Sequence, residues 1–149
     1  MSETDDYVAI IRLQQKYAHA VDTKNWQAAA GCFHAGSRAD YRGNVLDGPE
    51  AILGHLKSVL AGFQLTQHHM SVPQFEADGD QGTAVTYVIA NHISHGGEQL
   101  LVGARYDDEV VRLSQGWRFQ QRRTTILWHQ GDMELLKVSG TEGISRGGA

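Results

Sequence analysis

Residues 81–130 read QGTAVTYVIANHISHGGEQLLVGARYDDEVVRLSQGWRFQQRRTTILWHQ, and this stretch decides the fold. It is rich in β-branched and aromatic residues, and turn-forming pairs interrupt it at Gly96-Gly97 and Gln115-Gly116. Runs of this composition between turn signals are typical of strands. The predicted strands are Gln81–Ser94, Gln99–Ser114 and Trp117–Gln130. Because these strands are long and their connections are short, the stretch predicts long hairpins in a bent antiparallel sheet.

The residues before this stretch have a different periodicity. Apolar side chains recur three or four positions apart in predicted helices near residues 5–21, 25–33 and 48–61. A short strand is predicted at Arg38–Val45, and a longer one at Gln64–Phe75. Three helices followed by an antiparallel sheet indicate an α+β domain rather than a doubly wound parallel sheet.

Length and composition limit the class of protein. The 149 residues suffice for one domain, and the net charge of -4 does not suit a nucleic-acid-binding surface. One cysteine, Cys32, excludes an intrachain disulfide, so a cytoplasmic protein is expected. No apolar run approaches the roughly 18 residues of a membrane span, and the acidic start is unlike a signal peptide. We expect a domain at residues 1–138 and a flexible tail at residues 139–149.

The informative residues are polar side chains on strand faces that should be apolar. Alternation places His68 on the same face as the apolar Met70 and Val72, and His69 on the opposite face. Polar side chains also lie on the apolar face of each of the next two predicted strands. His92 shares a face with Val88, and Tyr106 and Asp108 share a face of the following strand. Burying such groups without partners costs free energy. We therefore expect a cavity lined by a few convergent polar groups.

No pattern predicts a metal, nucleotide or nucleophilic-serine site. His68 and His69 are neighbours in a strand and point to opposite faces, so they cannot easily bind one ion together. The remaining histidines apart from His92 follow no pattern and are expected at surface or edge positions: His19, His34, His55, His95 and His129. We expect no metal and no cofactor.

Four short segments resemble a known family. They are YAHAVDTKNW (17–26), ADYRG (39–43), TQHHM (66–70) and GWRF (116–119). Their order and spacing resemble the SnoaL-like branch of the nuclear transport factor 2-like superfamily, over residues 5–135. Within it, the chain is most similar to the scytalone dehydratase group and the bile-acid dehydratases. The resemblance implies a cone-shaped fold, in which a curved antiparallel sheet wraps around helices and leaves a deep apolar pocket.

The resemblance also implies roles for individual residues. Asp22 matches the family's buried acid that orients the catalytic histidine, and His68 matches that histidine. Tyr41 matches a tyrosine that polarises the substrate carbonyl, directly or through a water. His92 matches a second pocket position, and Tyr17 resembles a pocket tyrosine of the bile-acid group.

Four further residues are candidates for substrate binding. Tyr106 and Asp108 stand where scytalone dehydratase has small polar residues. Met70 and Val88 share strand faces with the two candidate histidines, His68 and His92. The substrate that these residues select is expected to be small, hydrophobic and cyclic.

These residues together predict a cofactor-independent lyase that eliminates water from a cyclic β-hydroxy carbonyl compound. His68 would remove the proton next to the carbonyl, since histidine is the usual general base near neutral pH. Tyr41, with Tyr17 or Tyr106, would donate to the carbonyl oxygen, and His68 or His92 would return the proton to the leaving hydroxyl. Alternatives are an isomerase, a polyketide cyclase or a dehydrohalogenase with the same residue pair, or a non-catalytic small-ligand-binding module. The expected partners are this substrate and further copies of the chain, in a homodimer or homotrimer, but neither nucleic acid nor membrane.

Overall fold

The computed structural model describes residues 2–137, in which three α-helices pack on one seven-stranded sheet. The helices are α1 (Glu3–Asp22), α2 (Trp26–Ala30) and α3 (Pro49–Leu60). The strands are β1 (Phe33–Tyr41), β2 (Asn44–Asp47), β3 (Phe63–Met70), β4 (Gln74–Asp78), β5 (Gln81–Ser94), β6 (Gln99–Leu113) and β7 (Gly116–Gln130). A short 3-10 helix follows at Met133–Leu136. The predicted α+β class is confirmed.

The strand order is β2-β1-β7-β6-β5-β3, and β4 also pairs with β5. The pairs are antiparallel except that β1 runs parallel to β7 within the described residues. The prediction of an antiparallel sheet is therefore wrong for this one pair. Because β1 begins directly after α2, Phe33 is brought beside Phe119 of β7, and both rings are buried.

The predicted strand at Gln64–Phe75 is two strands, since β3 ends at Met70 and β4 begins at Gln74. Pro73 has no backbone N–H for a strand ladder, which fits a break here. Val72 is 67% exposed, so its side chain does not share the inward face of β3.

The second predicted helix, residues 25–33, is too long at its C-terminal end. The structure ends α2 at Ala30, and Gly31 and Cys32 lead into β1. The single strand predicted at Arg38–Val45 covers parts of two strands, because β1 and β2 form a hairpin whose turn is Arg42-Gly43. Both turn residues have positive φ, 57° and 88°, which suits a tight two-residue turn.

Helix α1 is fixed at its start and along one side. Ser2 caps it by accepting from the backbone of Asp5, whose carboxylate accepts from the backbone of Ser2 in return. The apolar positions Ile10, Leu13 and Tyr17 face the sheet and are buried. The helix therefore crosses the sheet with its last residue, Asp22, directed towards β3.

No helix among residues 2–137 is long and apolar enough to cross a membrane. The predicted flexible tail at residues 139–149 lies outside the described residues.

The sheet face turned away from the helices carries exposed apolar side chains. Tyr87, Ile89 and Trp128 are each about half exposed on this outer face. Ile89, Gly103 and Trp128 are in register across β5, β6 and β7. The Trp128 indole lies so close to Gly103 that a Cβ atom there would come within 2.1 Å of the ring. An exposed patch of this kind is typical of an interaction surface.

We predict that this outer face joins copies of the chain into a dimer or trimer. Light scattering at tens of micromolar should give a multiple of the 16.4 kDa chain mass. Ile89→Lys should produce monomers, because it places a charge in the centre of the patch. Val45→Lys is the matched control, since Val45 is 52% exposed on β2, at the far edge of the sheet, and should leave the mass unchanged. A monomeric wild-type protein would contradict the prediction.

Candidate active site

The carboxylate of Asp22, the last residue of α1, accepts three hydrogen bonds from β3. Its Oδ1 lies 2.6 Å from Nδ1 of His68 and 3.0 Å from Oγ1 of Thr66. Its Oδ2 accepts the backbone N–H of His68 at 2.9 Å. Lys24, just after the helix, donates to the carbonyl of Phe63 at 2.8 Å. These bonds hold the end of α1 on the strand that carries His68.

Asp22 determines which nitrogen of the His68 ring carries hydrogen. Burial alone would raise the pKa of Asp22, but the hydrogen bonds and charge of His68 outweigh it and hold that pKa below its usual value. An ionised carboxylate only accepts hydrogen bonds, so Nδ1 of His68 is the donor. In the neutral ring Nε2 is therefore unprotonated and able to take a proton. The His68 side chain is 9% exposed, while His69 faces outward, as alternation predicted.

His92 lies beside His68 on the inward face of the sheet. The two ring centroids are 6.0 Å apart with the planes nearly perpendicular, and Phe63 packs against His92 at 5.0 Å. Nδ1 of His92 lies 3.1 Å from the carbonyl oxygen of Leu100. Burial, and next the charge of His68, lower the pKa of His92 to about 4. His92 is thus neutral near pH 7, and its ring N–H is bound to Leu100, so the suggestion that it returns the proton is not supported.

Two tyrosine hydroxyls meet on the other side of the interior. The hydroxyls of Tyr17 and Tyr41 are 3.1 Å apart, and burial raises the pKa of both side chains. Both therefore stay protonated, and when Tyr17 donates to Tyr41, the Tyr41 proton is free for a ligand. His55 of α3 stacks on the Tyr41 ring at 5.8 Å. His55, which was expected at a surface or edge position, is half-buried, and burial lowers its pKa.

Tyr106 supplies a further hydroxyl. Its ring packs edge-on against Tyr17 at 6.2 Å, and the guanidinium of Arg122 lies 4.0 Å from its centroid. Burial raises its pKa, so the hydroxyl stays protonated. It makes no hydrogen bond to any residue between Ser2 and Lys137, and it is thus available to a ligand.

Asp108 is committed to another partner and does not have the substrate-binding role predicted for it. Its carboxylate accepts from Nε and Nη2 of Arg122 at 2.7 and 2.8 Å, and from the Gln14 amide at 2.9 Å. The side chains of Asp108 and Arg122 are fully buried. Gln14 also donates to Thr86 and accepts from Arg122. Asp108 therefore neutralises a buried guanidinium and ties α1 to three strands.

An apolar row separates the histidines from the tyrosines. Met70, Val88, Ala104 and Ile126 are paired in register across β3, β5, β6 and β7. His68 pairs with Ala90 on one side of this row, and Tyr106 pairs with Thr86 on the other. Ala90 and Thr86 are about 13 Å apart along β5 at ~3.3 Å per residue. The predicted substrate contacts Met70 and Val88 thus lie between a base and a group of hydroxyls.

A family model described as a SnoaL-like domain matches residues 2–123. The chain belongs to the SnoaL-like family. The resemblance inferred from the four sequence segments is confirmed, and the fold is the nuclear transport factor 2-like cone.

Several proteins are similar to this SnoaL-like chain. A crystal structure from Novosphingobium aromaticivorans, described as an aromatic ring hydroxylase, has a TM-score of 0.84 and 26% identity, covering 92% of this chain and 100% of that one. A structure described as a scytalone dehydratase from the same organism has a TM-score of 0.79 and 19% identity, and the match covers 92% of this chain and 93% of that one. The hexachlorocyclohexane dehydrochlorinase LinA Type2 has a TM-score of 0.77 and 19% identity, and the match covers 94% of this chain and 93% of that one. At 19% identity, the similarity to these last two structures shows the fold alone. The protein Rv2910c of Mycobacterium tuberculosis H37Rv is 27% identical over 129 residues, 84% of this chain and 88% of its own.

Sequence reasoning missed the inward position of Arg122. Strict alternation from the buried Phe119 would turn Gln121 and Arg123 inward. A register shift opposite Glu109 and Val110 inserts Gln120 as an extra residue and turns Arg122 inward instead. No glycine or proline marks this bulge, so the sequence gives no local signal for it.

No three His, Cys, Asp or Glu side chains within the described part of this SnoaL-like chain lie close enough together to hold a metal ion. The expectation of a metal-free protein stays a prediction.

We predict that His92 makes stability depend on pH between about 6.5 and 4. In this window the ring is neutral in the folded protein but protonated in the unfolded chain. The unfolded state then binds more protons, so the free energy of unfolding falls as the pH falls from 6.5 to 4. His92→Phe should remove up to about 3 kcal/mol of this decline. Urea unfolding at a series of pH values measures it.

The matched control is His69→Phe, which alters an exposed histidine of β3 and should keep the wild-type pH dependence. Parallel curves for His92→Phe and the wild-type protein would show that His92 is not held neutral by burial.

Proposed function

We propose that this SnoaL-like protein is a cofactor-independent lyase that eliminates water from a hydrophobic cyclic β-hydroxy carbonyl compound. The observation that carries the proposal is the 2.6 Å contact between Asp22 and Nδ1 of His68. It leaves Nε2 of His68 unprotonated and gives the ring a fixed direction. A positioned imidazole of this kind is the usual general base near neutral pH.

In the first step, Nε2 of His68 takes the proton from the carbon next to the carbonyl. The electrons of the C–H bond form an enolate, and a tyrosine hydroxyl donates a hydrogen bond to its oxygen. Tyr41 and Tyr106 are the two candidates, because each remains protonated and has a hydrogen available. The carboxylate of Asp22 stabilises the imidazolium that forms.

In the second step, the enolate re-forms the carbonyl and a C=C bond, and the C–O bond to the β-hydroxyl breaks. The electron pair leaves with the oxygen, which receives the proton held on Nε2 of His68. Water departs, His68 is neutral again, and there is no net oxidation or reduction. Because one nitrogen takes and returns the proton, both bonds break on the same face of the substrate.

The apolar row between the two polar groups supports a hydrophobic ring as the substrate body. The side chains of Met70 and Val88 can offer a bound substrate only apolar contacts, through carbon and sulfur atoms. Two proteins of the same fold are described as a dehydratase and a dehydrochlorinase, and both reactions remove a proton and a leaving group from neighbouring carbons. The proposal for this chain is the dehydration.

We predict that Asp22 and His68 act as a unit. His68→Ala should remove nearly all activity, and Asp22→Asn should lose on the order of 10²-fold or more, since a positioned acid–base group is typically worth 10²–10⁴. The double variant should lose little beyond the worse single variant. The assay follows the ultraviolet absorbance of the conjugated ketone formed from a panel of cyclic β-hydroxy ketones.

His69→Ala is the control for this prediction, because that side chain lies on the opposite face of β3 and should leave the rate nearly unchanged. Activity lost in His69→Ala but kept in His68→Ala would refute the assigned base. Activity kept in both variants would refute His68 as the base, and a wild-type protein that converts no member of the panel would favour a non-catalytic binding module.

A further inference from the structure

We propose that Thr124 is a specificity-determining residue, whose hydroxyl group recognises a further oxygen of the substrate close to the carbonyl group. This oxygen is neither the carbonyl oxygen nor the leaving hydroxyl. The substrate class thus narrows to ring ketones that carry an additional carbonyl or hydroxyl group. The inference rests on the proposed function, in which the carbonyl group binds at the tyrosine hydroxyls.

Thr124 lies between the two tyrosines that are candidates to bind the carbonyl oxygen. It is paired in register with Tyr106 of β6 on one side and with Tyr41 of β1 on the other. Residues paired across neighbouring strands share a face of the sheet, so all three side chains face inward. Neighbouring strands are ~4.8 Å apart, which places Thr124 one strand spacing from each tyrosine. Thr124 therefore stands at the carbonyl end of the pocket, two positions along β7 from Ile126 of the apolar row.

The Thr124 hydroxyl group has no hydrogen-bond partner in the part of the chain that the structure describes. Three buried side-chain atoms of residues 2–137 lack one: Oγ1 of Thr124, Oγ of Ser37 and Nη1 of Arg122. Ser37 is 2% exposed and Arg122 is 0% exposed, whereas Thr124 keeps part of its surface accessible although it faces inward. Of the three, Thr124 is thus the residue that a ligand in the pocket can contact.

A ligand can satisfy this hydroxyl group at little cost to the protein. An unpartnered buried hydroxyl raises the free energy of the folded state, and a ligand that supplies the partner recovers that free energy. Rotation about the Cα–Cβ bond moves the hydroxyl of a threonine between staggered positions, including the one that its methyl group occupies. Such a rotation turns the hidden Oγ1 towards the accessible side of Thr124. No hydrogen bond is broken, because the present position offers none.

The number of hydroxyl groups indicates an oxygen beyond the carbonyl. Tyr41 and Tyr106 remain protonated and already provide two donors for one carbonyl or enolate oxygen. The Thr124 hydroxyl is on a shorter side chain and lies nearer to the sheet, so it suits a different atom of the same ring. Because a threonine hydroxyl both donates and accepts, it can bind either a carbonyl oxygen or a hydroxyl group.

The test uses two neutral ligands of one shape, 2,2-dimethylcyclohexane-1,3-dione and 2,2-dimethylcyclohexanone, titrated into the full chain by NMR. The second ligand has a CH₂ group in place of one carbonyl, and neither ligand has a leaving group, so binding is measured without elimination. Thr124→Val keeps the branched shape of the side chain but removes the hydroxyl. It should weaken binding of the dione about 10-fold, the worth of one hydrogen bond, and change binding of the monoketone by less than about 2-fold.

Two further variants serve as controls. Thr124→Ser keeps a hydroxyl group and should keep most of the wild-type difference between the two ligands. Thr125→Val changes the same residue type at the next position of β7, where the side chain faces outward and pairs with Arg105, and it should leave both affinities unchanged. Equal effects of Thr124→Val on both ligands, or an unchanged affinity for the dione, would overturn the inference.

Urea unfolding without a ligand tests whether the hydroxyl group has a partner inside the protein. Because it has none, Thr124→Val should unfold at the same urea concentration as the wild-type protein or at a higher one. A clearly lower midpoint would show an internal hydrogen bond and would overturn the inference. The proposed function can fail separately. Dione binding that depends on Thr124 in a protein that eliminates nothing would leave the recognition by Thr124 standing, whereas elimination without that dependence would refute the recognition alone.

Discussion

Asp22 stands at the last residue of α1, where the helix dipole makes a negative charge unfavourable. Three hydrogen bonds from β3 compensate for this position, and they set the arrangement of the site. Thr66 and the backbone of His68 fix the carboxylate, and the carboxylate in turn fixes the His68 ring. The direction in which Nε2 points is thus a property of how one helix ends on one strand.

The sheet supplies the other walls of the site. Strand alternation turns every second side chain inward, so that polar and apolar residues form separate rows across the strands. Beneath the tyrosines, the buried Arg122–Asp108 pair is balanced in charge and bonded to Gln14. A charge pair of this kind adds little net stability, but removing one partner would leave the other buried and unpaired. We infer that it keeps the rings of Tyr17 and Tyr106 in place.

Much of this arrangement could be predicted from the sequence, because it depends on local periodicity. The helical spacing of Ile10, Leu13 and Tyr17 and the alternation of His68 with His69 both hold in the structure. The segment motifs also paired two residues, Asp22 and His68, that are in contact in the structure although 46 positions separate them.

The features that the sequence did not predict depend on irregular backbone geometry or on contacts between distant parts of the chain. The parallel pairing of β1 with β7 has no signature in either strand, because a parallel neighbour is chosen by the whole topology. The bulge at Gln120 moved Arg122 inward and so gave Asp108 a partner that alternation does not reveal. His55 was missed because its partner, Tyr41, lies on a different element and the pair is formed only by packing.

The central claim is that His68, oriented by Asp22, removes a proton next to a carbonyl group. The most direct measurement is hydrogen–deuterium exchange of a cyclic ketone that has no leaving group, such as 2-tetralone, followed by NMR in D₂O. The wild-type protein should speed incorporation of deuterium next to the carbonyl well above the uncatalysed rate, and His68→Ala should return it to that rate. Exchange at the uncatalysed rate with the wild-type protein, in a sample where 2-tetralone is seen to bind, would contradict the claim.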